Sequence, residues 1–320
     1  MTVWRRTRWA LAGCAAAVAL AVTSCQSSAT GPPRNPPSTT AVPVVTSVEG
    51  LHLPVEAYML TPYQSVQEDW VRSAAVSACM RGFGLSYPAG VRPVRHGTAE
   101  NAFTVLFRRY GVTEARSVRV WGYHVPRPGG PAAARAVSPV KGRLPPVVRA
   151  LLTGVDGSGR RVVRHHGRAV PPGGCLGAPQ TPAGTGLDEL QGPGTSADGI
   201  VAAIKADSFG RSEADPRVEA VVRAWSRCMS ARGYRIRDPL HAAAVPSMDA
   251  PAPTRAEIAR AETDVVCKTR TNLVGTWFAV ESAYQRVAIH AHQDELAAVA
   301  RRRDALAAQI EHLYRSYGGR

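Results

Sequence analysis

Lysine is nearly missing from this chain: of 39 basic residues only Lys141, Lys205 and Lys268 are lysine, and the rest are arginine. Aromatic residues are sparse at 6%, so a core must be built mainly from alanine, valine and leucine. No internal run reaches 18 apolar residues, which excludes a polytopic helical membrane protein. G-x-S-x-G, H-E-x-x-H, the Walker loop and a complete G-x-G-x-x-G are all absent, so no catalytic or nucleotide-binding motif stands out and no catalytic residue is assigned. There is no C-x-x-C, and the histidines are not spaced for zinc. Neither a metal nor a cofactor is implied.

Acids are also in deficit, 24 against 39 bases, for a formal charge of +15. The arginines are scattered. Their longest run, Arg301-Arg302-Arg303, is too short for a nucleic-acid arm, so no nucleic-acid partner is expected. An arginine bias beside abundant alanine, glycine and proline is what a GC-rich genome encodes. The functional alternative is a surface with long-range attraction for anionic polymers, for which arginine supplies bidentate phosphate contacts.

With 320 residues, 45% hydrophobic and 20% charged, the chain has material for one large or two small folded domains. The first 24 residues read as a signal peptide. Arg5, Arg6 and Arg8 precede an apolar stretch from Trp9 to Val22, which is of signal-peptide length and short for a bilayer span. Two stretches resemble a lipobox: Leu11-Ala12-Gly13-Cys14 and Val22-Thr23-Ser24-Cys25. Cys14 leaves too few apolar residues upstream, whereas Cys25 sits where the apolar stretch ends, so Cys25 is the expected lipid attachment site. Arg5-Arg6 also hints at twin-arginine export, although Arg8 and Trp9 follow where that signal prefers apolar residues. Removing residues 1–24 removes three arginines and no acid, taking +15 to +12. Residues 25–50, rich in Ser, Thr and Pro, read as a disordered tether. A lipid together with a basic domain is the two-signal arrangement for stable attachment to a membrane. The expected location is the outer face of the cell membrane.

The exported part reads as mainly α with a small β-hairpin element, an α+β class, in two halves: 51–200 with Cys79 and Cys175, and 201–320 with Cys228 and Cys267. Capping boxes at Thr61–Gln64 and Thr254–Glu257, and Asp215-Pro216, open helices. The helix from Thr61 should stop at Gly82 or Gly84, with Trp70, Ala74, Ser77 and Met80 on one face. Ala99 to Tyr110 reads as a short helix, and Val162 to Val170 as a hairpin. The helical stretch from Thr254 to Tyr317 is too long to stay straight in a compact domain. It should break near Asp294 or at Gly275. Its stripes, Leu273-Trp277-Val280-Tyr284-Val287-Ala291 and Leu296-Val299-Leu306-Ile310-Leu313, suit packing as a hairpin within the chain or as a short coiled coil. The acid pairs Glu68-Asp69 and Asp294-Glu295 read as solvated faces. Cys79-Met80…Gly84 and Cys228-Met229…Gly233 repeat one signature, through duplication or convergence.

Arg108-Arg109-Tyr110-Gly111, Trp121-Gly122-Tyr123-His124, Gly173-Gly174-Cys175, Trp225-Ser226-Arg227-Cys228-Met229 and Cys267 through Tyr284 resemble a group of exported lipoproteins from high-GC Gram-positive bacteria. The resemblance implies export and a four-cysteine pattern, and it implies no mechanism. An even number of cysteines in an exported chain suggests disulfides. Cys228–Cys267 with Cys79–Cys175 places one bridge in each half, and the Pro-rich stretch from Pro239 to Pro253 is long enough to fold two helices antiparallel. The crossed pattern, Cys79–Cys228 with Cys175–Cys267, is the main alternative. The functional expectation is a surface lipoprotein, a binding or structural module whose basic face meets anionic lipid or wall polymer. The alternative is an envelope hydrolase using the middle region, for which Tyr123-His124 beside an acid in a pocket would be the sign.

Cys25→Ala should release the protein to the medium or leave it unprocessed, while Cys14→Ala should still give lipidated protein. Membrane retention of an unlipidated Cys25→Ala chain cut near residue 24 would contradict the assignment.

Overall fold

The computed structural model describes residues 36–39, 41–90, 105–126, 144–177 and 196–318. The expected signal peptide, Cys25, residues 99–104 of the expected short helix, and the stretches 127–143 and 178–195 lie outside the described residues. Within them the chain is mainly helical, with one small two-stranded sheet.

Helix α1 (Pro62–Gly82) begins as its sequence dictates. The Thr61 hydroxyl accepts from the Gln64 N–H, and the Gln64 side chain accepts from the Thr61 N–H. Two short helices follow, α2 (Ala115–Trp121) and α3 (Pro146–Thr153). Strands β1 (Arg164–His165) and β2 (Arg168–Ala169) pair antiparallel, with Arg164 opposite Ala169. His166 and Gly167 make the two-residue turn, both at positive φ, the geometry that matches strand twist. The one-turn α4 (Gly174–Gly177) comes next. Five long helices complete the chain: α5 (Ser196–Glu213), α6 (Pro216–Ser230), α7 (Arg255–Thr271), α8 (Leu273–Ala291) and α9 (Gln293–Ser316).

The long C-terminal stretch breaks twice. Asn272 takes a left-handed conformation between α7 and α8, and His292 leaves helical geometry between α8 and α9. The breaks precede the expected positions, Gly275 and Asp294, by a few residues. Asn272 is held by tertiary contact: its side chain accepts from the Val45 N–H and donates to the Pro43 carbonyl. That contact also places residues 43–45, which composition assigns to the tether, on the fold. Val45 is buried in the main core, and Ser47 and the Val48 N–H donate to Glu114.

Three apolar clusters hold the elements together. The main one gathers Tyr110, Trp225, Trp277, Val218 and Val280 around α5 to α8. A second joins Trp70, Val71 and Ala74 of α1 to Leu306, Ile310, Leu313 and Tyr314 of α9. Trp70 meets Tyr314 edge-on at 5.2 Å between ring centres. The stripe on α9 therefore packs within the chain, against a helix some 240 residues earlier, as well as meeting its helical neighbours. The stripe on α8 is buried from Leu273 to Tyr284, but Val287 and Ala291 face outward. The third cluster packs Val76 and Met80 of α1 on Leu151, Leu152, Val170 and Cys175. Residues 105–110 form turns where a helix was expected, because Arg108 sits at φ 57°.

The cysteine pairs at disulfide distance are Cys79–Cys175 and Cys228–Cys267, the uncrossed arrangement, with Cα separations of 5.8 and 5.6 Å. The second does not tie an antiparallel pair end to start. Cys228 is near the C-terminal end of α6 and Cys267 near that of α7, so two C-terminal ends are joined. One turn earlier, Trp225 Nε1 donates to Asp264 Oδ1 at 2.9 Å.

The repeated signature is the same helix end built twice. The Leu85 N–H donates to the Met80 carbonyl, and the Tyr234 N–H to that of Met229, at 3.1 and 3.0 Å. Ser77 Oγ reaches the Tyr87 carbonyl and Ser226 Oγ the Ile236 carbonyl, both at 2.6 Å. Met80 and Met229 are fully buried. Each end closes with a Schellman-type turn.

Ile310→Ala should cost about 2–5 kcal/mol, because it empties the fully buried centre of the α1–α9 contact. Urea unfolding measures it, and a cost under about 1 kcal/mol would contradict this packing.

Candidate functional site

The buried interior contains charge. Glu257, Asp264 and Lys268 on α7 and Glu281 on α8 are each at most 2% exposed. Burying such groups unpaired is costly, so each needs partners. The motifs Arg108–Gly111 and Trp121–His124 supply several of them.

Glu281 receives Arg109 Nε at 2.9 Å, Tyr110 Oη at 2.8 Å and Gln285 Nε2 at 3.1 Å. Arg109 also donates to the Lys205 carbonyl at 2.7 Å and lies over the Phe209 ring. Trp277 stacks on Tyr110 and Phe209. Burial first, then the Glu281 carboxylate, pushes the Tyr110 phenol well above its ordinary range.

Lys268 Nζ donates to Asp264 Oδ2 at 3.1 Å and to the Val112 carbonyl at 3.0 Å. Burial pushes Asp264 up and Lys268 down, and their mutual contact opposes both shifts. A Cβ at Gly111 would lie 2.6 Å from Lys268 Nζ, so the ammonium fits only against glycine.

Glu257 was expected to close a capping box with Thr254. Only half of it forms: Thr254 Oγ1 accepts from the Glu257 N–H. The carboxylate instead accepts from the Tyr123 N–H, His124 Nδ1 and Ser247 Oγ. His124 Nε2 faces the Ala250 carbonyl at 2.9 Å. A Cβ at Gly122 would lie 2.6 Å from Glu257 Oε1. Burial pushes Glu257 up, but the Ser247, Tyr123 and His124 donors prevail and hold it below the ordinary value.

His124 thus has an acid beside it, both buried inside the fold. Neither His124 nor Glu257 lines either of the two main cavities, and neither presents a free edge to solvent. The smaller cavity, about 210 Å³, lies among Glu213, Glu219, Asp238 and Trp277.

The larger cavity, about 530 Å³, lies among α1, α5, α9 and the turn at Tyr58. Its apolar lining includes Met59, Leu60, Val201, Val299 and Leu306. Its charged lining is Arg72, Lys205, Arg302 and Arg303 against Glu68 and Asp69. Glu68 is buried, not solvated as expected, and is paired with Arg72 at 2.9 Å. Arg302 Nη2 is buried without a hydrogen-bond partner. Arg303 Nε lies 2.9 Å from exposed Asp304 but is not aligned for a hydrogen bond. Burial and the nearby Arg109 guanidinium push Lys205 below its ordinary value. Among the described residues no group of three His, Cys, Asp or Glu side chains converges to hold a metal.

Sequence reasoning did not find this cavity, because its cations come from three helices far apart in the chain. No protein-family model, curated protein or solved structure matches the chain.

Glu257 and Asp215 both titrate below their ordinary range, Asp215 chiefly through the Arg217 side chain. Their contribution to stability is complete above the unfolded carboxylate range near pH ~4 and is lost as pH falls through the depressed folded values. Glu257→Gln should lower stability at pH 7 by about 2–3 kcal/mol and flatten the acid limb of the stability–pH curve. An unchanged acid limb would contradict the assignment of Glu257.

Proposed function

We propose that this chain is an exported lipoprotein, tethered to the outer face of the membrane through Cys25, that binds anionic groups of the cell envelope. The observation that carries the reading is the large cavity, whose lining sets Arg72, Lys205, Arg302 and Arg303 against Glu68 and Asp69 and leaves Arg302 Nη2 without a partner. An excess of cations beside apolar lining suits an anionic partner and opposes a cationic one. The formal charge of +12 after residue 24 points the same way, since long-range potential raises the local concentration of anions. The resemblance to exported lipoproteins agrees with it, as does the absence, among the described residues, of any helix long and apolar enough to cross a membrane. The hydrolase reading gains no support from His124, whose two nitrogens are both engaged inside the fold.

Binding is tested with vesicles of phosphatidylglycerol and phosphatidylcholine, and separately with purified teichoic acid. Retention on an anionic partner should fall steeply as salt rises past 0.1 M, where exposed charges are screened over about 10 Å. Equal binding to phosphatidylcholine alone, or none to either anionic partner at low salt, would reduce the arginine content to genome bias.

A further inference from the structure

We infer that the large cavity is a binding site for one small anionic amphiphile, its phosphate or carboxylate head held by Lys205, Arg302 and Arg303 and its apolar chain lying on Met59, Leu60, Val201, Val299 and Leu306. The inference rests on the reading above and makes it more specific: the ligand enters the fold, whereas a polymer would lie across a surface.

Three features distinguish this cavity from a general basic face. The first is its size. At about 530 Å³ it is within the range of small-molecule sites. The second is the unmatched cation. A buried guanidinium nitrogen without a partner is rare, because the missing hydrogen bond is costly. Arg302 Nη2 is such an atom. Among the described residues no acid lies at ion-pair distance from Arg302; Glu56 acts on Lys205 electrostatically, and Asp304 lies 2.9 Å from Arg303. An oxyanion would satisfy the Arg302 guanidinium by the short charge-assisted bonds that arginine makes to phosphate and carboxylate, with Lys205 and Arg303 adding positive charge to the same lining. The third is the mixture. The same cavity presents the partly exposed Met59 and Leu60 beside the buried Val201, Val299 and Leu306, an apolar wall that an alkyl chain can cover.

The cavity is also held firmly from behind. The Lys205 carbonyl accepts from Arg109, which is locked to buried Glu281. Three residues on, Ser208 Oγ lies near the same carboxylate at 3.4 Å. The turn of α5 that presents Lys205 to the cavity is therefore fixed by the core, and the head site needs no reordering of that helix. Leu306 belongs both to the cavity lining and to the α1–α9 cluster, so the wall opposite is part of the packed interior.

The test uses the full exported chain and isothermal titration below the micelle limit, with four probes: dodecyl phosphate, dodecanoate, inorganic phosphate and dodecanol. The two anionic amphiphiles should bind one per chain, each at least about tenfold tighter than inorganic phosphate or dodecanol. Arg302→Gln should weaken dodecyl phosphate by about tenfold or more. Ala202→Trp, at an exposed position on the cavity lining, should block it without disturbing the interior. Thermal melting of both variants shows whether either has unfolded. Equal binding of inorganic phosphate would leave a head site without a chain site and overturn the inference. So would unchanged binding in folded Ala202→Trp. If no amphiphile binds while retention on phosphatidylglycerol vesicles or teichoic acid keeps its salt dependence, the inference fails and the proposed function survives. If neither is seen, both fail.

Discussion

Four buried charged side chains, Glu257, Asp264, Lys268 and Glu281, set the terms for the rest of this fold. Helices α7 and α8 bury them in a core that has few aromatic side chains to spare. A buried charge left alone would cost several kcal/mol, so the structure must deliver donors and acceptors to fixed points along two helices. Residues 108–124 do this. Arg109 and Tyr110 answer Glu281, the Val112 carbonyl answers Lys268, and the Tyr123 N–H with His124 answers Glu257. Trp225 answers Asp264 from a third helix, one turn from the Cys228–Cys267 pair. Arg108 is drawn into left-handed geometry in the same segment, with its guanidinium on the Tyr123 and His124 carbonyls.

The helical framework was legible in the chain because its signals are local. Thr61, Asp215 and Thr254 cap their helices, and the hairpin turns at His166-Gly167. Spacing on α1 and α9 picked out faces that are buried. What failed depended on contacts distant in sequence. Arg108 does not continue a helix because its side chain is needed fifteen residues later. Glu257 abandons its cap for Tyr123, and the break falls at Asn272 because Pro43 and Val45 hold that side chain. Helical period cannot report such long-range partners. The motifs Arg108–Gly111 and Trp121–His124 stood out in the sequence, but their chemistry is structural: they carry the counter-charges and the two glycines that let those charges approach.

The candidate site was hidden for a related reason. Its cations come from α1, α5 and α9, and each looks like one more arginine or lysine in a basic chain. What sets them apart is that they line one cavity, with Arg302 Nη2 unpartnered. The site and the buried network meet at α5. Lys205 reaches the cavity with its side chain, while its carbonyl holds Arg109 against Glu281. Of three lysines in the chain, one thus completes the interior and another the cavity, while the abundant arginines supply most of the exposed charge.

The most direct test of this account is a double-mutant cycle on Arg109→Gln and Glu281→Gln, followed by urea unfolding of the chain at pH 7. If the pair is the buried contact that fixes residues 108–124 on α8, each single change should destabilise by about 2–4 kcal/mol, with a coupling energy of about 1–3 kcal/mol. Independent, additive effects would mean that Arg109 and Glu281 do not depend on each other, and would contradict the account.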